Sequence, residues 1–335
     1  MADPFDILSD EARDELRERE QPRWTAPMLA TLTDSPFSDE GWLYERKLDG
    51  MRCLAFRKAK KVRLLSRNKK DENDTYPELV EAIEKQKGHD FVVDGEIVAF
   101  EKGVTSFSRL QGRMQIKDRD RARHSDIAVY YYLFDILHLD GCDTTRLGLR
   151  DRKALLREAL RFDDPLRFTA HRNQDGEKFL EEACRKGWEG LIAKRADAKY
   201  VHKRSTDWLK FKCVSRQEVV IGGYTDPRGE RVGFGALLIG HYENGDLRYA
   251  GKVGTGYDDE TLKELGDRLS SMERETSPFA DRDIPEKGVH WVTPKLVAEV
   301  GFTEWTEDGR LRHPRYLGLR HDKKPKEVVR ERPKR

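Results

Sequence analysis

Short apolar runs, each broken by isolated charges, organise the first two thirds of the chain. Trp42-Leu43-Tyr44 leads into Glu45-Arg46-Lys47, and Cys53-Leu54-Ala55-Phe56 follows Arg52. Runs of four to eight apolar or β-branched residues bounded by polar turns read as strands. On that basis strands are predicted at 42–46, 52–57, 62–66, 91–100, 127–138, 189–195 and 207–212. Apolar residues spaced three and four apart, with charges between them, predict helices at 76–87, 151–161 and 176–186. Asp94-Gly95 interrupts an apolar run, which predicts a strand with a bend or bulge. Residues 9–20 have helical composition but a poor apolar face, as a surface helix or loose extension would.

The pattern changes after residue 214. Strands are predicted at 217–224, 235–243, 247–254, 290–293 and 296–305, with Glu243-Asn244-Gly245-Asp246 as a hairpin turn. One amphipathic helix, 258–273, interrupts them. Five short strands with one inserted helix suit a small Greek-key barrel of the oligonucleotide-binding kind. There is no internal repeat and no low-complexity linker, so a short hinge near 213–216 is expected. The expected division is an N-terminal extension, 1–23; a strand-and-helix domain, 24–214; the barrel, 215–322; and a basic tail, 323–335.

A chain of 335 residues is long enough for about two cores. Charged residues make up 38%, yet the net charge is only +2, so a polyanion-binding surface must come from local segregation. Both ends show it: residues 310–335 hold eleven Lys or Arg against three acids, and residues 1–22 hold eight acids against three arginines. A second basic stretch, Arg109–His124, carries six Lys or Arg against two acids, and would either line a nucleic acid or form an exposed loop. Cys53, Cys142, Cys184 and Cys213 are scattered without a Cys-x-x-Cys pair, so neither a zinc site nor a disulfide framework is expected. No histidine pair has metal-ligand spacing, and no apolar run is long enough to span a membrane. With no signal peptide in evidence, the expected location is the cytoplasm.

The candidate chemistry centres on Glu45-Arg46-Lys47-Leu48-Asp49-Gly50-Met51-Arg52. A lysine amine in a loop can form covalent intermediates once its proton is removed, and Gly50 is expected to give the tight turn that lets the loop approach a ligand. Lys-x-Asp-Gly alone is also ordinary turn chemistry. Further along the chain come, in order, Ser66-Arg67-Asn68 after a strand, Asp94-Gly95-Glu96 inside a strand, Phe134-Asp135, then Trp188-Glu189-Gly190-Leu191-Ile192-Ala193-Lys194. Trp208-Leu209-Lys210-Phe211-Lys212, with both lysines on one face, and Arg320-His321-Asp322-Lys323 complete the set.

This ordered set resembles the covalent nucleotidyltransferase superfamily: ATP-dependent DNA ligases, RNA ligases and messenger-RNA capping enzymes. The stretch Leu311–Arg320 further resembles the ligase module of bacterial end-joining ligases of the D type. The resemblance implies an α+β fold: a nucleotidyltransferase domain, ATP-grasp-like in its mainly antiparallel sheets with helices, followed by an OB-fold β-barrel. It implies Lys47 as the nucleophile that carries AMP, with Lys210 and Lys212 beside it. A free lysine has a pKa of about 10.4, and nearby cations, here Arg52, Lys210 and Lys212, are expected to favour the neutral amine. For the nucleotide it implies Glu45 near the adenine amino group, Phe134 stacked on the purine, and Glu96 at the ribose or a metal. Arg67 and Lys194 fall at phosphates, and Arg320 and Lys323 at the pyrophosphate leaving group, on a barrel domain that closes over ATP. Glu96 and Glu189 are the implied metal ligands, for Mg²⁺ or Mn²⁺. Trp208 reads as mainly structural.

The function so implied is ATP-dependent sealing of nicks or breaks in duplex DNA through a lysyl-AMP and a DNA-adenylate. The expected partners are nicked or broken duplex DNA and an end-binding protein of the Ku kind, with the enzyme a monomer. An RNA ligase or a capping guanylyltransferase shares the lysine motif, and a non-catalytic nucleic-acid-binding protein is the rival of another class. Lys252-Val253-Gly254-Thr255-Gly256 is glycine-rich, but it follows a hairpin and lacks the βαβ context of a dinucleotide site.

Overall fold

Strand alternation explains how the first part of the chain is layered. In the computed structural model, which describes residues 3–86, 88–213, 215–227, 229 and 232–331, the strands up to Cys213 form two sheets. The larger runs Lys61–Ser66, Met51–Lys58, Phe91–Glu101, Val129–Leu139, Cys142–Asp143 and Arg17–Glu18, with Leu166–Phe168 added in parallel to Val129–Leu139. The smaller runs His171–Arg172, Trp42–Arg46, Gly190–Arg195, Arg204–Lys212 and Leu29–Leu32.

Because side chains alternate across a strand, each sheet has one face against helices and one against the other sheet. Cys53, Ala55, Val93, Ile97, Leu133 and Ile136 pack with Leu79 and Ile83 of the Pro77–Glu84 helix and Leu155 and Leu156 of the Leu149–Ala159 helix. Leu54, Phe56, Val92 and Phe134, on the opposite face, meet Met28, Tyr200 and Trp208. In the smaller sheet Tyr44, Leu191, Ala193 and Phe211 pack on Phe179 and Ala183 of the Gly176–Arg185 helix. The register pairs Glu45 with Ile192, Lys194 with Trp208, and Ile192 with Lys210. The polar members of these strands therefore share the face turned away from that helix, toward the larger sheet.

The predicted elements of this unit are present, and the register of Phe91–Glu101 against Val129–Leu139 slips between Asp94 and Gly95, where a bulge was expected. The basic stretch 109–124 is not the exposed loop of one of its two readings. It forms the helices Phe107–Met114 and Arg119–Arg123, and four of its cations are ion-paired: Arg113 with Glu78, Lys117 with Glu72, Arg123 with Glu81 and Arg109 with Asp126. Arg113 is fully buried, so this part of the stretch anchors helices rather than facing a polyanion. The absence of disulfides was also a wrong expectation. Cys184 and Cys213 are bonded, with Cα atoms 5.2 Å apart, because the end of the Gly176–Arg185 helix lies beside the end of the Arg204–Lys212 strand. Sequence spacing carries no information about that approach.

A second compact unit covers Val214–Arg332, so the expected hinge at 213–216 includes residue 214, outside the described residues. Its strands run Asp246–Val253, Leu237–Glu243, Ser215–Thr225, Val289–Val292 and Glu273–Arg274, with Val297–Phe302 also pairing along Ser215–Thr225 and Arg315–Leu319 pairing with Val297–Phe302. Val219, Ile221, Leu237, Ile239 and Val300 pack against Leu262, Leu265 and Leu269 of the Asp259–Ser270 helix. In the expected hairpin, Asn244 and Gly245 both have positive φ (53° and 91°), the geometry a two-residue turn requires. The Arg315–Leu319 strand was missed because His313-Pro314 breaks the alternation before it. The expected tail at 323–335 is described only to Glu331, with a short 3₁₀ turn at Pro325–Glu327. No helix among the described residues is long and apolar enough to cross a membrane.

Candidate active site

Lys47 follows directly on the Trp42–Arg46 strand, and its backbone N–H donates to Gly190 O at 2.9 Å. This bond ties the lysine loop to the start of the Gly190–Arg195 strand and so places Lys47 beside Glu189. The Lys47 ammonium is ion-paired with the Glu189 carboxylate, which is 4% exposed against 19% for the lysine. Gly190 is required there: its φ is +143° and a Cβ would overlap the carbonyl of Phe211 on the neighbouring strand. Gly50 serves a different purpose from the one expected. Its φ is not positive, and a Cβ would run into Ile97 O and Val98 Cγ1, so it lets the loop seat against the larger sheet rather than approach a ligand.

The cationic field expected around Lys47 is also revised. Arg52 is held by Asp94 through two bonds of 2.5 Å, and Tyr200 donates to the same carboxylate at 2.5 Å. Asp94 is fully buried, so it offsets most of the charge of Arg52. Burial alone would lower the pKa of Arg52, but Asp94 more than reverses this. Lys47 therefore sits beside an anion, and nucleophilic chemistry at Lys47 would require that its ammonium proton be given up.

Deeper in the cleft lies a cluster that was only partly anticipated. Glu45 is 2% exposed and bridges two lysines, with Lys153 Nζ 2.6 Å from Oε1 and Lys194 Nζ 2.6 Å from Oε2. Lys153 also donates to Thr169 O at 2.9 Å. Burial works to protonate Glu45, yet the two ammonium groups hold its pKa below the ordinary carboxylate value. Burial pushes Lys194 down to about 8, against the pull of Glu45. The Lys194 ammonium lies 4.1 Å from the ring centres of both Phe134 and Trp208, and the Arg52 guanidinium lies 4.4 Å from that of Phe134. A base stacking on Phe134 would displace one of these cations.

The remaining predicted site residues are each held within their own unit. Arg67 is presented by the tight turn after Lys61–Ser66, closed by Lys69 N–H to Ser66 O at 2.9 Å. Glu96 stands opposite Arg52 and Tyr132 in the larger sheet. Lys210 and Lys212 lie opposite Ile192 and Gly190. Arg320 and Lys323 belong to the second unit and are held there by acids. Asp322 accepts two bonds of 2.9 Å from Arg320, Glu299 lies 3.4 Å from Arg320, and Glu218 lies 2.7 Å from Lys323.

Two buried polar atoms next to this cluster lack a partner. Thr169 Oγ1 and His171 Nδ1 are buried with no hydrogen-bond partner, although buried polar atoms are nearly always paired. Thr169 supplies the carbonyl held by Lys153, and His171 is the strand partner of Glu45. Among the described residues no group of three or more His, Cys, Asp or Glu side chains could hold a metal. A hard cation that arrives with phosphates needs only one or two carboxylates, which Glu96 and Glu189 can provide.

Sequence reasoning missed Lys153, Asp94, Tyr200, Thr169 and His171 as site members. A signal for Lys153 existed. Arg152 and Lys153 occupy the face of their helix that also carries Leu149, Leu156 and Ala159, where apolar residues would be the rule. Arg152 there forms a fully buried pair with Asp135, at 2.7 and 3.0 Å, next to Phe134.

A lysine paired with a carboxylate at the mouth of a two-sheet cleft, over a buried polar cluster, defines a nucleotidyltransferase site, and the following barrel unit is an OB fold. The profile described as "ATP dependent DNA ligase domain" matches residues 27–212, and "ATP dependent DNA ligase C terminal region" matches 230–323. The chain belongs to the ATP-dependent DNA ligase family. It is 40% identical over 322 residues to the multifunctional non-homologous end joining protein LigD of Pseudomonas aeruginosa, covering 93% of this chain and 37% of that protein. It is 40% identical over 315 residues to the LigD of Mycobacterium bovis, covering 91% of this chain and 40% of the relative. The chain thus spans about two fifths of these relatives. A solved mycobacterial DNA ligase D, in complex with ATP and MES, superposes with a TM-score of 0.65 at 37% identity, covering 92% of this chain and 98% of the other.

Proposed function

We propose that this chain seals nicks or breaks in duplex DNA with ATP, through AMP carried on Lys47. The observation that carries the reading is the Lys47–Glu189 pair, which sets a nucleophilic amine against a carboxylate suited to a metal. In the first step Lys47 gives up a proton, and its Nζ attacks the α-phosphorus of ATP. An N–P bond forms as the bond to the pyrophosphate oxygen breaks. In the second step a 5′-phosphate oxygen at a nick attacks that phosphorus; the N–P bond breaks and Lys47 recovers a proton. In the third step the 3′-hydroxyl attacks the 5′-phosphate, loses its proton and displaces AMP. Phosphoryl transfer of this kind asks the protein for position and charge rather than for covalent help beyond the lysine.

On this reading Glu45 and Phe134 receive the base, Glu96 the ribose, and Lys194 a phosphate. Arg67, Lys210 and Lys212 hold phosphate oxygens, and Arg320 and Lys323 attend the pyrophosphate. Glu96 and Glu189 would hold a divalent cation, Mg²⁺ in our reading, which neutralises phosphate charge when bound. The domains follow the division at 24–214 and 215–322. The DNA is duplex with a nick or break, an end-binding protein of the Ku kind is the expected helper, and the cytoplasm is the expected location.

The test is incubation with labelled ATP or GTP and Mg²⁺, then denaturing electrophoresis and sealing of a nicked duplex. Label from ATP that is lost in Lys47→Ala, with DNA binding retained, supports the reading. Label from GTP alone, or label that survives in Lys47→Ala, overturns it.

A further inference from the structure

We infer that Lys153 is a specificity-determining positioning residue: by pinning Glu45 it makes the site read the 6-amino group of adenine and reject a 6-oxo purine. The inference rests on the reading that Glu45 faces the base.

Lys153 and Lys194 approach different oxygens of one carboxylate, both at 2.6 Å, and all three side chains are 2–3% exposed. Held at both ends, the carboxylate cannot rotate, and each oxygen still has a lone pair to offer. The other groups around it are His171 on the adjoining strand and Asp135 on the larger sheet, which is occupied by Arg152. His171 is kept neutral by burial and by the charge of Lys153. Glu45 is thus an ionised group that only accepts. An acceptor-only group attracts the amino hydrogens of adenine and faces the O6 of guanine with two unpaired acceptors, which is costly in a buried site.

Lys153 is the part of this device that bonds Glu45 without lying against Phe134 or Trp208. Lys194 also lies against Phe134 and Trp208, whereas Lys153 directs its two bonds to Glu45 and Thr169 O. A purely structural purpose would be served as well by an apolar side chain, because a buried ion pair seldom adds net stability over packed hydrophobes. The unpartnered Thr169 Oγ1 and His171 Nδ1 lie beside the same lysine and carboxylate, and mark that spot as one that awaits a polar ligand.

The experiment measures self-nucleotidylylation by the full chain with ATP, GTP and purine riboside triphosphate, which lacks the 6-substituent. Lys153→Met is expected to raise KM for ATP about tenfold with kcat within about threefold, and to cut the ATP-over-GTP preference by a similar factor, the usual worth of one buried polar contact. KM for purine riboside triphosphate should change little, and Lys153→Arg should keep the preference. If Lys153→Met does not fold, as judged by circular dichroism, Lys153→Gln carries the same test, because it retains a donor but loses the charge. Equal losses for all three nucleotides, with the preference intact, would show Lys153 to be structural only and overturn the inference. Glu45→Gln separates the two levels: if it leaves the ratio of ATP to purine riboside triphosphate unchanged, Glu45 does not face the base, and the reading beneath falls as well.

Discussion

Arg152→Ala is expected to destabilise the first unit severely, although Arg152 contacts no proposed substrate group. Arg152 and Asp135 are both 0% exposed, and Arg152 makes four bonds: two to Asp135, one to Leu147 O at 2.6 Å and one to Ala198 O at 2.8 Å. Removing one partner of a buried ion pair leaves the other charge uncompensated, at a cost of roughly 3–5 kcal/mol. Each carbonyl that loses its donor adds about 1 kcal/mol or more. Against a total stability of about 5–15 kcal/mol, this is a large fraction. For a unit of this size each kcal/mol moves the midpoint by about 2–4 °C, so a fall of at least about 6–20 °C is expected. The assay is thermal melting by circular dichroism, with urea titration as a second probe. The double replacement Arg152→Met with Asp135→Leu removes both charges, leaving two carbonyls short of a donor and the Ile136 N–H without its Asp135 acceptor, so it should recover part of the loss. A midpoint for Arg152→Ala within about 2 °C of the parent, the shift expected from less than 1 kcal/mol, would refute the account of this pair as an essential anchor behind Phe134.

Three further outcomes are expected from the ion pairs and the disulfide. Burial raises the carboxyl of Asp322, but Arg320 outweighs it and holds the group at about 2. A depressed folded pKa means that the stabilisation is present above about pH 4 and is lost as pH falls toward 2, a loss of roughly 2 kcal/mol. Asp322→Asn should therefore lower stability at neutral pH and flatten the acid limb of a melting-temperature profile of the full chain. Reduction with a dithiol, or Cys184→Ser, opens a closure across a sequence separation of 29 residues. Loop entropy puts the loss at about 3–4 kcal/mol, visible as a lower first melting transition, and an unchanged melt would show that the bond adds nothing. Glu189→Gln should cut Lys47 adenylylation by roughly a hundredfold, the scale of losing one electrostatic contact to a developing charge. A faster rate would mean that Glu189 serves only to hold Lys47 charged and idle.

Much of the layering could be read from the chain because period-two alternation is clear where one face of a strand packs on a helix and the other carries polar residues. Tyr44 against Glu45, and Phe211 against Lys210, already separate the helix-facing side from the cleft-facing side. The bulge at Asp94-Gly95 was legible for a similar reason, since a charge and a glycine rarely interrupt a smooth ladder. The Arg315–Leu319 strand was not, because His313-Pro314 hides the alternation of Tyr316 and Gly318 beyond it. The Cys184–Cys213 bond and the ion pairs of the 109–124 stretch were not legible either. Each depends on a partner brought near by the fold: Arg113 meets Glu78 from 35 residues away.

The site shows most clearly what a linear reading omits. Residue types in order can nominate a nucleophile, but the sign of the field around it depends on which charges remain uncompensated after folding. Arg52, five positions from Lys47, stands in the sequence as an activating cation; in the fold it is tied to a buried Asp94, and Lys47 is ion-paired with Glu189. The consequence for mechanism is specific. On the proposed reading of Lys47 as nucleophile, an ammonium paired with a carboxylate has to lose its proton before it attacks, and drawing Glu189 away would favour that loss. A hard cation carried in on the triphosphate would do so, since a carboxylate bound to it no longer compensates the ammonium. On that reading activation would be coupled to arrival of the substrate, and the pair that holds Lys47 in the free chain would also be the means of releasing it.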